Sequence, residues 1–464
     1  MLKLLCRHVE KTSCLWCRGL GSIFFTFCVV AANGCLQGKV NSNMYPSDTK
    51  FAVIGAGPGG LSAALALKKK GFSNIEVYEK NDDVGGKVES YIYEGKPYEL
   101  GAILLAGNFK AIHRIAEEFE VPLREYHEAT MVDEDFSEHR FGAWAEAKFS
   151  QTDLFWSAFK YMWIAWREGV HNEPGFVDVP ADLTLTMQEY VKKNDIDSLS
   201  DPCEPMIVGL GYGYYNEVPA AYLVKLFYGF IRGSLEYALG FGHNGLTTPV
   251  NGYQDLWRTV AQSLPVKLST AVQKIEKDGE QWQVHTAQGI KSYDQVILSV
   301  PAEISAQLVP SVSELGELSK QVRYYEYQVT VLKVDNFDRD KTWYFRGNRQ
   351  RQQLGYPIAM TNPHKDTNVY MVYTQTGPSL SEEQVLARTK ETIEKMGGNV
   401  TEVLTQKSWR YLPHVTGEAM RAGFYDRWRE LQGKQGLWYV GGLFNFETVE
   451  HTVRFSNDLV ERHF

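Results

Sequence analysis

Six residues with the pattern G-x-G-x-x-G could hold a phosphate group. They run from Gly55 to Gly60 and follow a short apolar segment that ends at Ile54. Gly55 permits a tight turn, Gly57 lets the backbone approach a pyrophosphate, and Gly60 lets a following helix pack closely. The phosphates would then lie on free amides at the positive end of that helix. The pattern predicts a dinucleotide site formed by Gly55, Gly57, Pro58, Gly59 and Gly60.

An acidic residue lies where the ribose of such a dinucleotide could be bound. Glu79 stands 24 residues after Gly55, at the end of an apolar segment. Its carboxylate could accept hydrogen bonds from the ribose hydroxyls, and Lys80 beside it is included in the predicted site. The alternative is a glycine-rich turn without a ligand, which does not account for a strand, a helix and an acid occurring together.

The elements that must position these residues form one βαβ unit. Lys50–Ile54 is predicted to be a strand, Leu61–Lys70 a helix and Asn74–Tyr78 a second strand. Later segments with strand or helix patterns are strands at 282–285, 295–300, 328–334, 369–374, 403–411 and 437–440, and helices at 153–169, 220–239, 382–396 and 448–464.

A second glycine motif extends the site. Val84–Lys87 resembles the second glycine motif of the FAD-dependent amine oxidase and phytoene desaturase superfamily, where it wraps the cofactor. This resemblance implies FAD, bound non-covalently, rather than NAD. Lys87 stands where an arginine is more common, and Leu443 replaces an acid that usually follows the last glycine pair. The positions that the resemblance adds to the cofactor site are Gly85, Gly86, Lys87, Gly101, Ala102, Val272, Gly441 and Gly442.

Four longer strings narrow the resemblance. Gly211–Tyr222, Trp409–Val415, Asn445–Glu450 and Ser456–Val460 are similar to segments of FAD-containing polyunsaturated fatty-acid double-bond isomerases. That family implies hydride removal from the methylene between two double bonds and its return at another carbon. The alternatives are an amine oxidase or desaturase, which passes electrons to oxygen or another acceptor, and a non-catalytic lipid or flavin carrier.

The resemblance also implies a long apolar substrate with a carboxylate head. The predicted substrate residues are Arg124, Tyr212, Tyr214, Tyr215, Tyr222, Phe227, Trp409 and Phe444, and for each aromatic residue the alternative is ordinary core. Arg124 would bind the carboxylate, or else be a surface arginine paired with Glu125 or Glu128. The aromatic gate of the family aligns near Leu235, which predicts that the gate is missing or moved.

No acid–base residue is required for this chemistry, and no metal site is predicted. Two residues are candidates for a role beside the flavin. Lys333 lies on a predicted strand where amine oxidases often hold a lysine that contacts flavin through water, and the alternative is an exposed strand lysine. His414 could donate a hydrogen bond near the flavin, and the alternative is a packed structural histidine.

The length of 464 residues indicates two packed domains in an α/β fold. A Rossmann-like FAD-binding domain is expected to be interleaved with a substrate domain of mixed sheet and helices. The predicted segments are targeting at 1–34, linker at 35–49, FAD-binding at 50–150, 261–310 and 431–464, helical substrate-binding at 151–260 and substrate sheet at 311–430.

Charge and the N-terminus bear on partners and location. The net charge of −8 argues against nucleic acid as a partner. Basic residues precede an apolar run, Ile23–Ala32, which resembles a signal peptide and is short for a membrane span. An exported or membrane-associated protein is therefore expected, with the N-terminal segment as the membrane contact. The alternatives are a misassigned start and a cytoplasmic protein.

Overall fold

The computed structural model describes residues 45–126, 129–169, 174–238, 245–339 and 341–464. The predicted targeting segment and most of the linker therefore lie outside the described residues. Within these ranges, no helix is both long enough and apolar enough to cross a membrane.

Twenty strands are described. They are β1 (Phe51–Ile54), β2 (Ile75–Tyr78), β3 (Ser90–Tyr93), β4 (Lys96–Glu99), β5 (Leu105–Ala106), β6 (Leu123–Glu125), β7 (Ala129–Val132), β8 (Glu138–Arg140), β9 (Leu246–Pro249), β10 (Val266–Lys267), β11 (Val272–Asp278), β12 (Gln281–Thr286), β13 (Gly289–Tyr293), β14 (Gln295–Leu298), β15 (Arg323–Asp335), β16 (Thr342–Phe345), β17 (Pro357–Thr361), β18 (Val369–Thr376), β19 (Asn399–His414) and β20 (Leu437–Tyr439).

The α-helices of the described ranges are α1 (Pro58–Lys69), α2 (Lys110–Glu118), α3 (Phe141–Lys148), α4 (Gln151–Arg167), α5 (Met187–Asn194), α6 (Asp197–Ser200), α7 (Glu204–Gly209), α8 (Ala220–Ala238), α9 (Tyr253–Gln262), α10 (Ala302–Leu308), α11 (Ser313–Ser319), α12 (Glu382–Lys395), α13 (Gly417–Arg421), α14 (Phe424–Leu431) and α15 (Val449–His463).

A five-stranded parallel sheet carries the first glycine motif. Its order is β10-β2-β1-β14-β20, with β1 paired to β2 on one side and to β14 on the other. The residues of β1 and β14 are buried, as expected for a parallel sheet covered on both faces. Helices α1 and α15 pack against each other beside it. The carboxyl ends of β1 and β2 therefore meet at the edge where Gly55 and Glu79 lie.

The second large sheet has seven strands in the order β19-β15-β18-β17-β16-β7-β8. All neighbours are antiparallel except β16 and β7. Two smaller sheets complete the frame around the site: the β3-β4 hairpin and the sheet β5-β9-β6.

One predicted domain boundary needs correction. Residues 129–140 form β7 and β8, which extend the seven-stranded sheet, and α3 packs on these two strands. The first FAD-binding segment therefore ends before residue 129 and not at 150. Parallel pairing of β7 with β16, which is more than 200 residues away, leaves no local pattern in the sequence.

Candidate functional site

The first glycine turn adopts a backbone that a side chain would not permit. Gly55 has φ +103°, and a Cβ added there would lie 2.6 Å from the carbonyl oxygen of Ser299. A Cβ at Gly60 would lie 2.0 Å from the carbonyl oxygen of Gly55, so only glycine lets α1 begin this close to β1. At Gly57, by contrast, a Cβ would meet no atom nearer than 3.8 Å. Gly57 therefore faces free space.

The second glycine motif closes on the first. The Gly85 amide donates to the carbonyl oxygen of Ala56 at 2.9 Å, and Gly86 has φ +58°. The atom nearest to a Cβ at Gly57 is the Gly86 Cα. Two backbones without side chains therefore face each other across the turn, which fits a pyrophosphate.

Glu79 lies at the end of β2 and is buried. One of its carboxylate oxygens accepts a hydrogen bond from the Ala56 amide at 2.8 Å, and the other accepts one from the Asn81 amide at 3.0 Å. Each oxygen has a second lone pair, so the oriented carboxylate retains capacity for ribose hydroxyls. Its neighbour Lys80 is exposed. The Thr270 amide donates to the Glu79 carbonyl at 2.7 Å, which brings the segment leading to Val272 beside this edge.

Three further glycines border the same space. Gly441 has φ +133°, and a Cβ added there would have no atom within 4 Å. A Cβ added at Gly59 would lie 3.6 Å from the Gly441 Cα. Next to it, a Cβ on Gly442 would lie 3.0 Å from the Cα of Glu447. A Cβ on Gly101 would lie 1.9 Å from the Lys87 carbonyl oxygen. The Ala102 amide donates to the Lys87 carbonyl at 3.1 Å. These residues therefore fit a bound dinucleotide, and we call the three glycines and Ala102, together with the two glycine motifs and Glu79, the cofactor cradle.

A largely apolar cavity adjoins the cofactor cradle. Most of the residues that line it are apolar. Gly101 and Ala102 belong to both the cradle and the cavity wall. The wall consists of Gly101, Ala102, Ile103, Leu104, Ala106, Phe109, Leu210, Tyr212, Leu226, Phe230, Leu246, Tyr327, Trp409, Tyr411, Glu447, Thr448 and Val449.

Two of the predicted aromatic wall residues lie in this cavity. Tyr212 packs against Phe446, with ring centroids 4.9 Å apart, and against Tyr411, with ring centroids 6.0 Å apart. Trp409 is held by a 2.6 Å hydrogen bond from its indole Nε1 to the Leu100 carbonyl. Both rings are fixed by contacts outside the cavity, so they form a rigid wall.

The other predicted aromatic residues do not line this cavity, and each contacts other buried residues. The Tyr222 hydroxyl bonds that of Tyr425 at 2.6 Å and accepts from the Val415 amide. Tyr214 packs against Tyr325, and Phe227 against Tyr161. Phe444 lies against Trp428 and Phe455, and Tyr215 is buried outside the cavity. The sequence could not separate these from Tyr212, because burial alone does not say which space a ring borders.

Among the described residues that line the cavity, Glu447 is the charged one. It is not among the site residues predicted from the sequence. One carboxylate oxygen accepts from the Lys87 ammonium and the other from the Leu412 amide. Burial raises the pKa of Glu447, and Lys87 offsets part of that rise. The acid beside Gly442 is therefore supplied by Glu447 and not by position 443, where Leu443 is buried. Its only signal was its place within the string 445–450.

Arg124 lies on the cavity face of the sheet β5-β9-β6. It pairs with Thr248, and Leu246 and Ala106 on the same face line the cavity. Arg124 borders a separate surface cleft with Tyr126, His364 and Lys365. Burial lowers the pKa of Arg124.

The Nε of Arg124 is buried and has no hydrogen-bond partner among the described residues. No ion pair between Arg124 and Glu125 is found there, while Glu128, the other partner considered, lies outside the described residues. A buried Nε–H without an acceptor is costly, which indicates a place where an anionic group could bind this partly buried arginine.

The structure does not bring Lys333 or His414 to the cavity. The Lys333 ammonium pairs with Glu402 at 2.8 Å, and this contact raises the pKa of Lys333. The His414 Nδ1–H donates to the Leu412 carbonyl at 2.8 Å, and the ring stacks on Tyr325. Burial lowers the pKa of His414 to about 4, so its ring is expected to be neutral at pH 7.

Two remaining predictions concern Leu235 and metals. Leu235 falls within α8, but its side chain is not among the described parts of the chain. No group of three or more His, Cys, Asp or Glu side chains that could hold a metal ion occurs in the described ranges.

The chain was compared with known protein families, curated proteins and solved structures. The model of the family "Flavin containing amine oxidoreductase" matches residues 58–444. A "Polyenoic fatty acid isomerase" of Ptilota filicina is 23% identical, over 90% of this chain and 95% of the relative. A "Beta-cyclopiazonate dehydrogenase" of Aspergillus flavus is 22% identical, over 84% of this chain and 88% of the relative.

Among solved structures, a "CLA-producing fatty acid isomerase from P. acnes" has a TM-score of 0.83 at 23% identity, covering 90% of this chain and 100% of that one. These matches confirm the predicted superfamily, the fold class and the FAD cofactor. The chain therefore belongs to the flavin-containing amine oxidoreductase family and is an enzyme whose cofactor is FAD.

Proposed function

We propose that the enzyme isomerises the double bonds of a polyunsaturated fatty acid. The observation that carries the proposal is the joint arrangement of three parts. The apolar cavity meets the cofactor cradle at Gly101 and Ala102, and Arg124 lies on the face of β6 that continues the cavity wall. FAD would occupy the cofactor cradle, and an apolar chain with one carboxylate end would match the cavity and Arg124.

The cofactor would be held by the cradle. Gly57 and Gly86 would contact the pyrophosphate and Glu79 the ribose, with Lys87, Gly441 and Gly442 bordering the remainder. When bound, FAD accepts a hydride and can return it. The residues of this chain would have to place the reacting carbon against it.

The cavity wall would provide that placement by burial. Each methylene removed from water contributes about 0.8 kcal/mol, so the part of a carbon chain that enters the cavity would be held by its burial. The fixed rings of Tyr212 and Trp409 would also exclude water. Water exclusion matters because an electron-deficient carbon chain would otherwise be captured by hydroxide or water.

Arg124 would orient the substrate through its carboxylate. A carboxylate at Arg124 would satisfy the buried Nε that lacks a partner within the described structure. The names of two similar proteins agree with this substrate class: the relative from Ptilota filicina and the solved structure from P. acnes are both fatty acid isomerases.

An anaerobic assay tests the reaction. The purified yellow protein is incubated with linoleate without oxygen, and the absorbance of conjugated dienes is followed. Diene formation without a second electron acceptor is expected. No diene with any polyunsaturated acid, together with peroxide formation from amines in air, would support the amine oxidase alternative. The Glu447 carboxylate is the one wall feature that favours a cationic substrate, and Lys87 neutralises it.

The role of Arg124 is tested with two substrates. Arg124→Gln is expected to raise the KM for linoleate roughly 10- to 100-fold, since a charge-assisted bond contributes about 1.5–3 kcal/mol. Methyl linoleate should be a poor substrate for the wild type, and Arg124→Gln should not discriminate between acid and ester. Arg429→Gln, which alters a surface pair with Asp426, is the control. Equal discrimination in wild type and Arg124→Gln would contradict the assignment.

We also propose that residues 1–34 direct export. The support is the basic leader followed by the apolar run at 23–32. N-terminal sequencing of the protein from its native cell would test this, because an intact Met1 would contradict cleavage.

A further inference from the structure

Helix α4 exposes an aromatic stripe. Trp156, Phe159, Trp163 and Trp166 have 54%, 48%, 56% and 60% of their surface exposed. Their spacings of three, four and three residues place all four on one side of the helix. We call these four residues the aromatic stripe.

The opposite side of α4 is anchored in the protein. Ser157, Ala158, Tyr161, Ile164 and Ala165 are buried. The Tyr161 hydroxyl donates to the Val224 carbonyl of α8, and its ring packs against Phe227. The aromatic stripe is therefore the outer face of a fixed helix and not a loose segment.

Such a patch is unusual for this molecule. The other large apolar side chains that are exposed in the described ranges are aliphatic and lie on other elements, such as Ile92 and Ile290. About half of four large rings amounts to on the order of 400 Å² of apolar surface in one place. Contiguous patches of this size mark interaction sites.

The charges beside the aromatic stripe are balanced. Lys160 pairs with Asp195, and Arg167 with Glu168. The whole chain carries a net charge of −8, which opposes attraction to an anionic surface. Attraction at this face must therefore come from the rings. Tryptophan and phenylalanine on one face of a surface helix suit the interface of a bilayer. A stable dimer, by contrast, buries about 800 Å² on each partner.

The aromatic stripe lies one helix away from the cavity. Leu226 and Phe230 of α8 line the cavity, while Val224 and Phe227 of the same helix contact Tyr161 of α4. If the aromatic stripe lay in the headgroup region of a bilayer, the apolar cavity would be close to the lipids of that bilayer.

We propose that the aromatic stripe docks the enzyme on the surface of a lipid bilayer by shallow insertion of its rings. The partner is a neutral phospholipid interface, and binding is insensitive to salt. The proposal extends the proposed function, since a bilayer would supply the lipid substrate, but the docking itself requires no turnover.

Vesicle flotation tests the docking. The FAD-bound full chain is mixed with phosphatidylcholine vesicles, at about 0.1 M and about 1 M salt, which screens charges beyond a few ångströms at the higher value. The wild type should float with the vesicles at both salt concentrations. Trp163→Ser/Trp166→Ser should reduce its partition coefficient at least tenfold. The matched control Ile92→Ser/Ile290→Ser removes two exposed apolar side chains elsewhere and should float like the wild type.

Three further readouts define the outcome. Quenching of tryptophan emission by brominated phosphatidylcholine should be strong in the wild type and weak in the double tryptophan variant. Flavin content and melting temperature should match in all variants, which shows that folding is intact. Equal flotation of wild type and Trp163→Ser/Trp166→Ser would overturn the proposal.

Two other occupants would also overturn it. If the wild type is a dimer that the double tryptophan variant dissociates, and neither floats, the stripe binds a second copy. If neither floats and cross-links form between the stripe and residues 23–32, the N-terminal segment covers it. Failure of the isomerase assay leaves flotation unchanged, so the two proposals are tested separately.

Discussion

Glu447 and Lys87 show how a single ion pair can set the polarity of a cavity. The carboxylate borders the cavity, and its ammonium partner follows the second glycine motif. Tyr212 and Tyr411 interact electrostatically with the same carboxylate. Without Lys87, this wall would present a buried, unpaired charge to the substrate, which an apolar ligand could not compensate.

The pair can be tested by unfolding experiments. Glu447→Gln is expected to lower the free energy of unfolding by about 2 kcal/mol, because Lys87 would be left partly buried without an anion. Lys87→Met/Glu447→Gln should recover part of that loss, as a double-mutant cycle in urea denaturation would show. Lys69→Met, which removes an exposed pair with Glu118, should cost less than about 1 kcal/mol. Additive effects of the two substitutions would contradict the coupling.

Glu99 should make stability depend on pH. It is buried, accepts from the Ser90 hydroxyl at 2.6 Å and the Tyr253 amide at 2.9 Å, and burial raises its pKa from 4.5 to about 7. A raised pKa means that the folded state holds a proton that the unfolded state releases. The stabilising contribution is therefore complete below about pH 4.5 and is lost as the pH rises through about 7.

Comparison with Glu99→Gln isolates this contribution. Between pH 5 and pH 8 the wild type should lose up to about 3 kcal/mol relative to Glu99→Gln, as measured by urea denaturation at both pH values. The amide retains an acceptor for the Tyr253 amide at either pH. A difference between the two proteins that does not change with pH would show that Glu99 does not titrate in this range.

At the scale of elements, the turn between β1 and α1 offers a test of cofactor binding without loss of fold. Gly57 has φ −79° and open space around an added Cβ, so Gly57→Ala should fold normally. The methyl group would occupy the space expected for a pyrophosphate. The FAD content of the purified protein should fall at least tenfold, measured as flavin absorbance per protein.

Thermal melts complete this test. Added FAD should raise the melting temperature of the apo wild type, because a ligand that binds only the folded state stabilises it. The same addition should leave Gly57→Ala unchanged. Gly316→Ala, at a glycine with no atom within 4 Å of an added Cβ, is the control and should respond like the wild type. Normal flavin content in Gly57→Ala would contradict the assignment of the cofactor cradle.

Elements also show what could be predicted from sequence. The helix after Gly55 was predicted at 61–70 and is observed at Pro58–Lys69, because turn, helix and strand are adjacent in the chain. Glu79 could be predicted as the ribose acid because it directly follows the second strand of the same unit. The Lys87–Glu447 pair joins residues 360 positions apart and could not be found that way. Tyr212 and Tyr222 look alike in sequence, and only packing against the cavity separates them.

At the scale of the whole molecule, the seven-stranded sheet contacts the β3-β4 hairpin and its flanking residues next to the candidate site. Trp409 of β19 reaches the Leu100 carbonyl, and Lys407 pairs with Glu89 at 2.8 Å. The Tyr373 hydroxyl of β18 donates to the Glu99 carbonyl. Ligand sites often form where two structural units meet, since both contribute walls. Here one unit supplies the cofactor cradle and both border the cavity.

The parallel sheet takes its strands from β1, near residue 51, to β20, which ends at Tyr439. During synthesis, β14 therefore cannot pair with β20 until β20 has left the ribosome. Until then β14 presents an open edge that another nascent chain could pair with. Gly441 and Glu447 follow β20 in the chain, so the cofactor cradle and the cavity wall would be complete only after this segment has been translated.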